Sequence, residues 1–393
     1  MDDHNNISVI IPWNGENDGQ IESLISAMIS QVLMPDELVL INTSKNVLNI
    51  ENKIIEEASF EINILSSEGS FPGKARNTGF LESKNNVIAF LDINTKPNHD
   101  WLKDGLEKLN NGFDLYHGMT KFNSETYFQS LVKFSSYGEA SYPTVPGSIG
   151  YRKFLKHHPF NEDIRSGEDI LWKNKVLDNN SDIYFPKKIT TEYNGFPKNI
   201  YNLVKKYFLY SLSSASIDIQ KNLKDAYFGC FLVLSALIVP RWNYLISDWD
   251  QNPLYIDNVA KGYLLFIIFM LFLFFIFKKI GVFTSEFKFS DNVLRIIFLF
   301  SSFFIAYNWN RVFASWAEDA LLYIPHVTKI YLSVLVLASI LMRGLLLPIK
   351  RKVSIYSLLP LNWLFIGMIG ICMDIAKLPG YLLGGARNLF NLR

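Results

Sequence analysis

The chain has 393 residues, enough for two structural units, and its 38 basic side chains nearly balance 37 acidic ones, for a formal charge of +1. That balance argues against nucleic acid as a partner. The two cysteines, Cys230 and Cys372, lie in apolar runs without a CxxC or Cys/His neighbour, which argues against a disulfide framework or a zinc site.

Ile7–Pro12 is a short apolar run ending in proline, the profile of a buried strand. Ile21, Leu24, Ile25, Met28 and Ile29 recur at helical spacing and predict one apolar helix face. Glu37–Asn42 and Glu61–Leu65 read as strands, Gly73–Ser83 as a helix, and Val87–Asp92 as a fully buried strand. A helix near Asp100–Leu109 and a strand near Phe113–Tyr116 follow. This strand–helix rhythm predicts an α/β fold, Rossmann-like, with a mostly parallel sheet covered by helices on both faces. Such sheets bind ligands at the carboxyl ends of their strands. Here those ends are polar: Asn14–Glu16, Asn42–Ser44 and Asp92–Thr95. Residues 117–165 read as irregular, broken by Pro143, Pro146 and Gly147, before a helix over Ser166–Asn179.

The character of the chain changes near Asp225. Pro197–Ser216 predicts a helix in which Lys198, Lys205 and Lys206 alternate with aromatic and apolar residues. It fits a helix lying in a membrane interface, or a helix docked on a neighbour. Long apolar runs follow at 226–246, 259–277, 293–310, 328–348 and 355–376, each near the roughly 20 residues that a span requires. Lys278, Lys279 and Lys350–Lys352 place their loops on the cytoplasmic side by the positive-inside rule, with the N-terminal domain on that side too. The acidic N-terminus lacks a signal-peptide pattern, which carries the same expectation. Four spans result, with 355–376, interrupted by Pro360, read as re-entrant. The expected domains are 1–195, an interfacial region 196–225, an all-α membrane bundle 226–376, and an amphipathic cytoplasmic tail 377–393. Few charges interrupt the apolar runs beyond Arg343 and Asp374, so a polar transport pathway is poorly supported.

Three separated stretches carry the chemistry. One is Ser8–Pro12 with its exit Trp13-Asn14-Gly15-Glu16. The next is Gly73-Lys74-Ala75-Arg76-Asn77-Thr78-Gly79, followed by Phe90-Leu91-Asp92-Ile93-Asn94. The last is Gly167-Glu168-Asp169 at a helix start. In order, spacing and strand context the set resembles the family-2 glycosyltransferases, which have the GT-A fold, over roughly residues 7–215.

The resemblance implies a membrane-bound transferase that takes a sugar from a nucleotide-sugar donor. The acceptor expected for a membrane-held enzyme is a lipid-linked or cell-surface glycan, in cell-envelope polysaccharide synthesis at a bacterial-type plasma membrane. A polyprenyl-phosphate sugar synthase and a catalytically silent binding protein are the alternatives; the oligomeric state is left open. By the same resemblance the donor pocket is lined by Pro12, Trp13, Asn14, Glu16, Asn42, Ser44, Lys74, Arg76, Asn77, Asp92 and Asn94. Trp13 is a base-stacking ring or a core residue, and Asn42 with Ser44 reads the base edge or makes a turn. Arg76 is a fork for phosphate or one half of a solvent-facing salt bridge. Lys74 is a second positive charge or a surface residue. Asp92 with Asn94 stands where the family has its DxD motif, the expected oxygen ligands of Mg²⁺ or Mn²⁺, although the second acid is an amide here. Asp92 otherwise caps a turn. Many relatives place a His after the next strand, where this chain reads Thr191-Glu192-Tyr193-Asn194. Asp169 is the base implied for an inverting transfer, and Glu168 positions it. Ser166 with Glu168 and Asp169 also matches a capped helix start, which is compatible with catalysis.

Overall fold

The computed structural model describes residues 6–15, 18–46, 52–177, 181–215, 217, 255–257 and 327–389. The chain divides into two compact units, one formed by Met1–Ile219 with Ala338–Arg393 and the other by Gln220–Leu337. The apolar runs 226–246, 259–277 and 293–310 lie outside the described residues.

The first unit is built on a mostly parallel sheet. β1 (Ile7–Trp13), β2 (Glu37–Asn42), β3 (Glu61–Ser66) and β4 (Val87–Phe90) are parallel in the order β3-β2-β1-β4. Strand alternation sorts β1 between two cores. Ile7, Val9, Ile11 and Trp13 pack under α1 (Asp18–Ile29) and α4 (Trp101–Asn110), through Ile21, Leu24, Ile25, Trp101 and Leu102. Ile10 faces the opposite core with Ala75 of α3 (Pro72–Glu82) and Trp172 of α7 (Glu168–Leu177). Helices thus cover both faces, as the continuous apolar strands require. The short helix α2 (Asn52–Glu57) joins β2 to β3.

The irregular stretch proves to be ordered. β5 (Thr95–Pro97), β6 (Leu115–Phe122), β7 (Ser141–Tyr151), β8 (Ile183–Tyr184) and β9 (Thr191–Tyr193) complete the sheet. β7 runs antiparallel between β4 and β6. Of the prolines that argued against a strand, Pro146 lies at an irregularity, where the β6–β7 register shifts between Tyr116 and Gly118, while Pro143 stands opposite Met119 in the ladder. A bulge removes the ladder positions at which a proline would be intolerable. Helices α5 (Tyr127–Ser136) and α6 (Arg152–Lys156) flank β7. Thr126 and Gln129 form a full capping box at the start of α5.

The C-terminal part holds α8 (Ile200–Ser214), then α9 (Val327–Leu341), a π-helical turn at Met342–Leu346, α10 (Leu347–Lys350), α11 (Ile355–Leu358) and α12 (Asn362–Leu389). Two stretches, Ser333–Lys350 and Asn362–Gly385, are long and apolar enough to cross a membrane. The expected division at 376/377 falls inside α12, which runs on through Pro379. The break lies earlier, where Leu359 and Pro360 separate α11 from α12. α12 packs along α8 and α5. Gly380 and Gly384 let its backbone approach the Phe208 and Leu212 carbonyls of α8, where a Cβ would collide. Leu203, Val132 and Met373 form the apolar seam of the three helices.

Candidate functional site

The carboxyl ends of β1, β2 and β4 lie side by side. The register sets Trp13 beside Asn42, and the Thr43 N–H and hydroxyl both donate to the Trp13 carbonyl, at 2.8 and 3.0 Å. Leu91 N–H donates to Ile10, bringing the Asp92 turn next to the β1 exit.

Arg76 is the centre of the site. It lies in the second turn of α3 and is 3% exposed. One terminal nitrogen donates to Asp92 Oδ1 at 2.7 Å and the other to Glu168 Oε1 at 2.9 Å. The Phe160 ring lies 5.3 Å from the guanidinium carbon. Burial opposes a charged guanidinium, but the Asp92 and Glu168 carboxylates outweigh it and hold its pKa above the ordinary arginine value. Arg76 therefore ties the donor-side strand end to the start of α7 in a buried salt bridge, where the sequence left open a phosphate fork or a solvent-facing pair.

α3 reaches this place because the chain lies close against its first turn. A Cβ at Gly73 would strike the Asn161 carbonyl. Asn77 then fastens the same loop: its amide donates to the Phe160 carbonyl and to Glu162 Oε1, and accepts from Phe160 N–H at 3.0 Å. Asn77 serves the loop and has these partners where donor contact was expected.

At the start of α7, Gly167 has φ +89°, a left-handed conformation that favours glycine and turns the chain into the helix. Ser166, expected as a cap, instead donates its hydroxyl to the Tyr210 carbonyl of α8 at 3.0 Å. Ser213 Oγ accepts from the N–H groups of Arg165 and Ser166. So α8 braces the turn that carries Glu168 and Asp169. Burial raises both of these carboxyls above their ordinary values. Arg76 opposes the rise for each; Asp169 adds to it for Glu168, and Asp92 adds to it for Asp169. Glu168 is buried on Arg76, whereas Asp169 accepts from the Ile170 N–H beside it, at 2.8 Å. Of the pair, Asp169 is the carboxylate that Arg76 does not contact.

Other expected donor residues divide. Asn14 and Lys74 are exposed, and Pro12 and Ser44 are half-buried at the strand ends. Glu16 lies outside the described residues. Trp13 is 1% exposed and packs in the core, so its ring is closed to stacking. Asn42 makes a turn: its Oδ1 accepts from both the Ser44 N–H and hydroxyl, at 2.9 Å each, and its Nδ2 donates to the Asn46 carbonyl. His158 is buried beside Phe154, and its carbonyl accepts from the Trp172 indole.

The expected Mg²⁺ or Mn²⁺ ligands do not make a matched set. Asp92 Oδ1 receives Arg76, and Asn94 Oδ1 receives Gln20 Nε2 at 3.2 Å. Among the described residues no three His, Cys, Asp or Glu side chains converge as a metal site. A hard divalent cation seeks several oxygen ligands, and the protein offers it one carboxylate shared with Arg76 and one amide oxygen already accepting from Gln20, a weak set.

Sequence reading placed α8 in a membrane interface or against a neighbour and missed its part in the site. Lys206 Nζ donates to the Gly195 carbonyl at 3.1 Å and to Tyr193 Oη at 3.3 Å. It also lies over the Tyr193 and Tyr210 rings, at 5.7 and 5.6 Å from their centroids. The signal available was the i, i+4 pair Lys206/Tyr210 on one helix face.

A mostly parallel sheet with an arginine-linked pair of strand-end and helix-start acids places the protein in the GT-A class. Residues 8–164 match the family model described as glycosyl transferase family 2, and the chain carries a domain of that family. It is similar to glycosyltransferase AglE of Haloferax volcanii, with 27% identity over 192 residues, covering 44% of this chain and 61% of AglE. Among solved structures it is similar to TarS of S. aureus, with 18% identity and a TM-score of 0.35, covering 63% of this chain and 46% of TarS. TarS 1–349 in complex with UDP-GlcNAc gives 18% identity and a TM-score of 0.37, covering 63% of this chain and 77% of that one. The chain thus spans less than two thirds of the length of AglE and of TarS.

Proposed function

We propose that this protein transfers a sugar from a nucleotide-sugar donor to a hydroxyl of a lipid-linked or surface-glycan acceptor, with inversion at the anomeric carbon. The observation that carries the reading is the pair at the start of α7. Glu168 is engaged by Arg76, and Asp169 beside it accepts from backbone N–H and has a raised pKa. A base poised above the ordinary aspartate value accepts a proton more readily at working pH. The acceptor oxygen attacks the anomeric carbon as its proton passes to Asp169. The bond from that carbon to the diphosphate breaks, and its electron pair leaves with the nucleoside diphosphate. Arg76 holds Glu168 and Asp92 in register, and the strand ends at Asn14, Asn42 and Ser44 face the nucleotide. The family model and the name of AglE support glycosyl transfer.

A membrane acceptor fits the C-terminal part. Ile355, Tyr356, Leu361, Phe365 and Met368 are exposed apolar side chains that follow the basic run Lys350-Arg351-Lys352. Apolar surface beside basic residues suits the cytoplasmic face of a bilayer. The test is a donor screen of the full chain in detergent with membrane lipid extract, using Asp169→Asn as control. Product from wild type and none from the variant is expected. Equal product from both overturns the base, and no product from any donor overturns glycosyl transfer.

A further inference from the structure

One guanidinium faces three carboxylates at this site: Asp92 and Glu168 in contact with Arg76, and Asp169 beside them. A diphosphate adds negative charge to a place that already has a surplus, and departure of the nucleoside diphosphate increases it. Such a step needs positive charge placed beforehand. The charge of Arg76 is already more than matched by the carboxylates it touches, and of the expected cation ligands Asp92 is shared with Arg76 while Asn94 Oδ1 accepts from Gln20. We propose that Lys206 supplies the positive charge, binding the donor diphosphate and stabilising the leaving nucleoside diphosphate in place of a metal ion. This rests on the glycosyl-transfer reading above.

The position of the ammonium follows from its contacts. Gly195, whose carbonyl it holds, lies against the Asp92–Asn94 turn: Asn194 N–H donates to the Asn94 carbonyl at 3.0 Å, and a Cβ on Gly195 would stand 3.1 Å from Asn94 Cβ. Tyr193, its second partner, is paired across the sheet with Thr95 of β5. Burial and then the field of Asp92 push the Tyr193 phenol up. Burial, with Glu168 among the further causes, pushes up Tyr210. Lys206 is therefore held between two rings that each sense one of the site's acids. Among the described residues no carboxylate lies within ion-pair distance of it. An ammonium is a compact point charge suited to phosphate, and the flanking rings fix its direction.

Calorimetric titration of the full chain with UDP and with GDP, in EDTA and in Mn²⁺ and without acceptor, tests this. The proteins are wild type, Lys206→Gln and Lys206→Arg, each first shown to be folded by its unfolding midpoint. Wild type is expected to bind one nucleotide in EDTA. Lys206→Gln is expected to lose about tenfold or more in affinity, as removal of a charge-assisted contact requires, and Lys206→Arg to recover most of it. Binding by wild type only in Mn²⁺, or by Lys206→Gln as well as wild type in EDTA, overturns the proposal. So does a Lys206→Gln effect confined to the KM for a lipid-phosphate acceptor. Binding of neither nucleotide under any condition overturns the glycosyl-transfer reading itself.

Discussion

Around Arg76, three carboxylates share one guanidinium; around Asp374, two cations share one carboxylate. In the second cluster Arg343 pairs with Asp374, Lys377 lies 3.6 Å from the other Asp374 oxygen, and the Lys377 ammonium covers the Tyr207 ring at 5.0 Å. Both clusters lie in folded apolar surroundings and both link distant parts of the chain. They differ in sign and in what they stand on. The Arg76 cluster sits at strand ends and a helix N-terminus, where backbone dipoles point to a common space and the surplus charge is negative. The Asp374 cluster sits along helix flanks, where its groups satisfy one another and join α12 to the turn before α10. Partial burial of charge is common to both; only the first stands at the carboxyl ends of the strands.

The largest effect expected is on catalysis. Asp169→Asn should lower the transfer rate by about 10²- to 10⁴-fold while leaving donor affinity nearly unchanged, as removal of a general base does. A rate loss below tenfold in steady-state assays would erase the functional contrast between the clusters. Next in size is Arg76→Met. It leaves two acids without their shared partner and should cost about 3–5 kcal/mol, read as a fall in the unfolding midpoint. Asp92→Asn should cost less, because Asp92 is 34% exposed.

The pH response is the third and smaller effect. Glu168 and Asp169 have folded pKa values raised above the ordinary 4.5 and 3.8. Their contribution to stability is fully present below those ordinary values and is lost as pH rises through the raised ones. Asp169→Asn carries no charge to bury, so it should be more stable than wild type at neutral pH, with the difference closing on acidification. Thermal unfolding across the acidic range checks this, and a difference that widens as pH falls contradicts it. Activity should fall through the same window, since the base must be ionised to act.

Smallest is Arg343→Met. Arg343 is 38% exposed and Asp374 retains Lys377, so the loss should be about 1 kcal/mol or less, with turnover within about twofold of wild type. A collapse of turnover in that variant would show that the second cluster also serves catalysis.

Much of the fold is legible in the residues. Glu37–Asn42 is a strand over the predicted range, and α3, α4 and α7 begin within three residues of their predicted starts. Apolar runs and helical spacing report burial directly, so such elements need no partner to be recognised. β5 and β7 escaped because three residues are too few for a pattern, and because Pro146 suits a strand only where a bulge relieves the ladder. At the site, the motifs locate Arg76, Asp92, Glu168 and Asp169 without saying that the first holds two of the others. Trp13 and Asn42 hold motif positions, yet one went to the core and the other to a turn. A side chain's partner depends on contacts 16 to 92 residues away, as the two Arg76 bonds illustrate.

The strand–helix rhythm and the acids that end a strand and begin a helix are readable in the residues alone. These depend on composition and on neighbours within a few residues. Only the tertiary structure decided which charges neutralise one another. It engaged Arg76 between Asp92 and Glu168, left Asp169 with its raised pKa, carried α12 past the expected boundary along α8, and brought Lys206 to the Asn94 turn. The physical reason is that electrostatic and packing energies fall off over a few ångströms of space, a distance that separation along the chain does not encode.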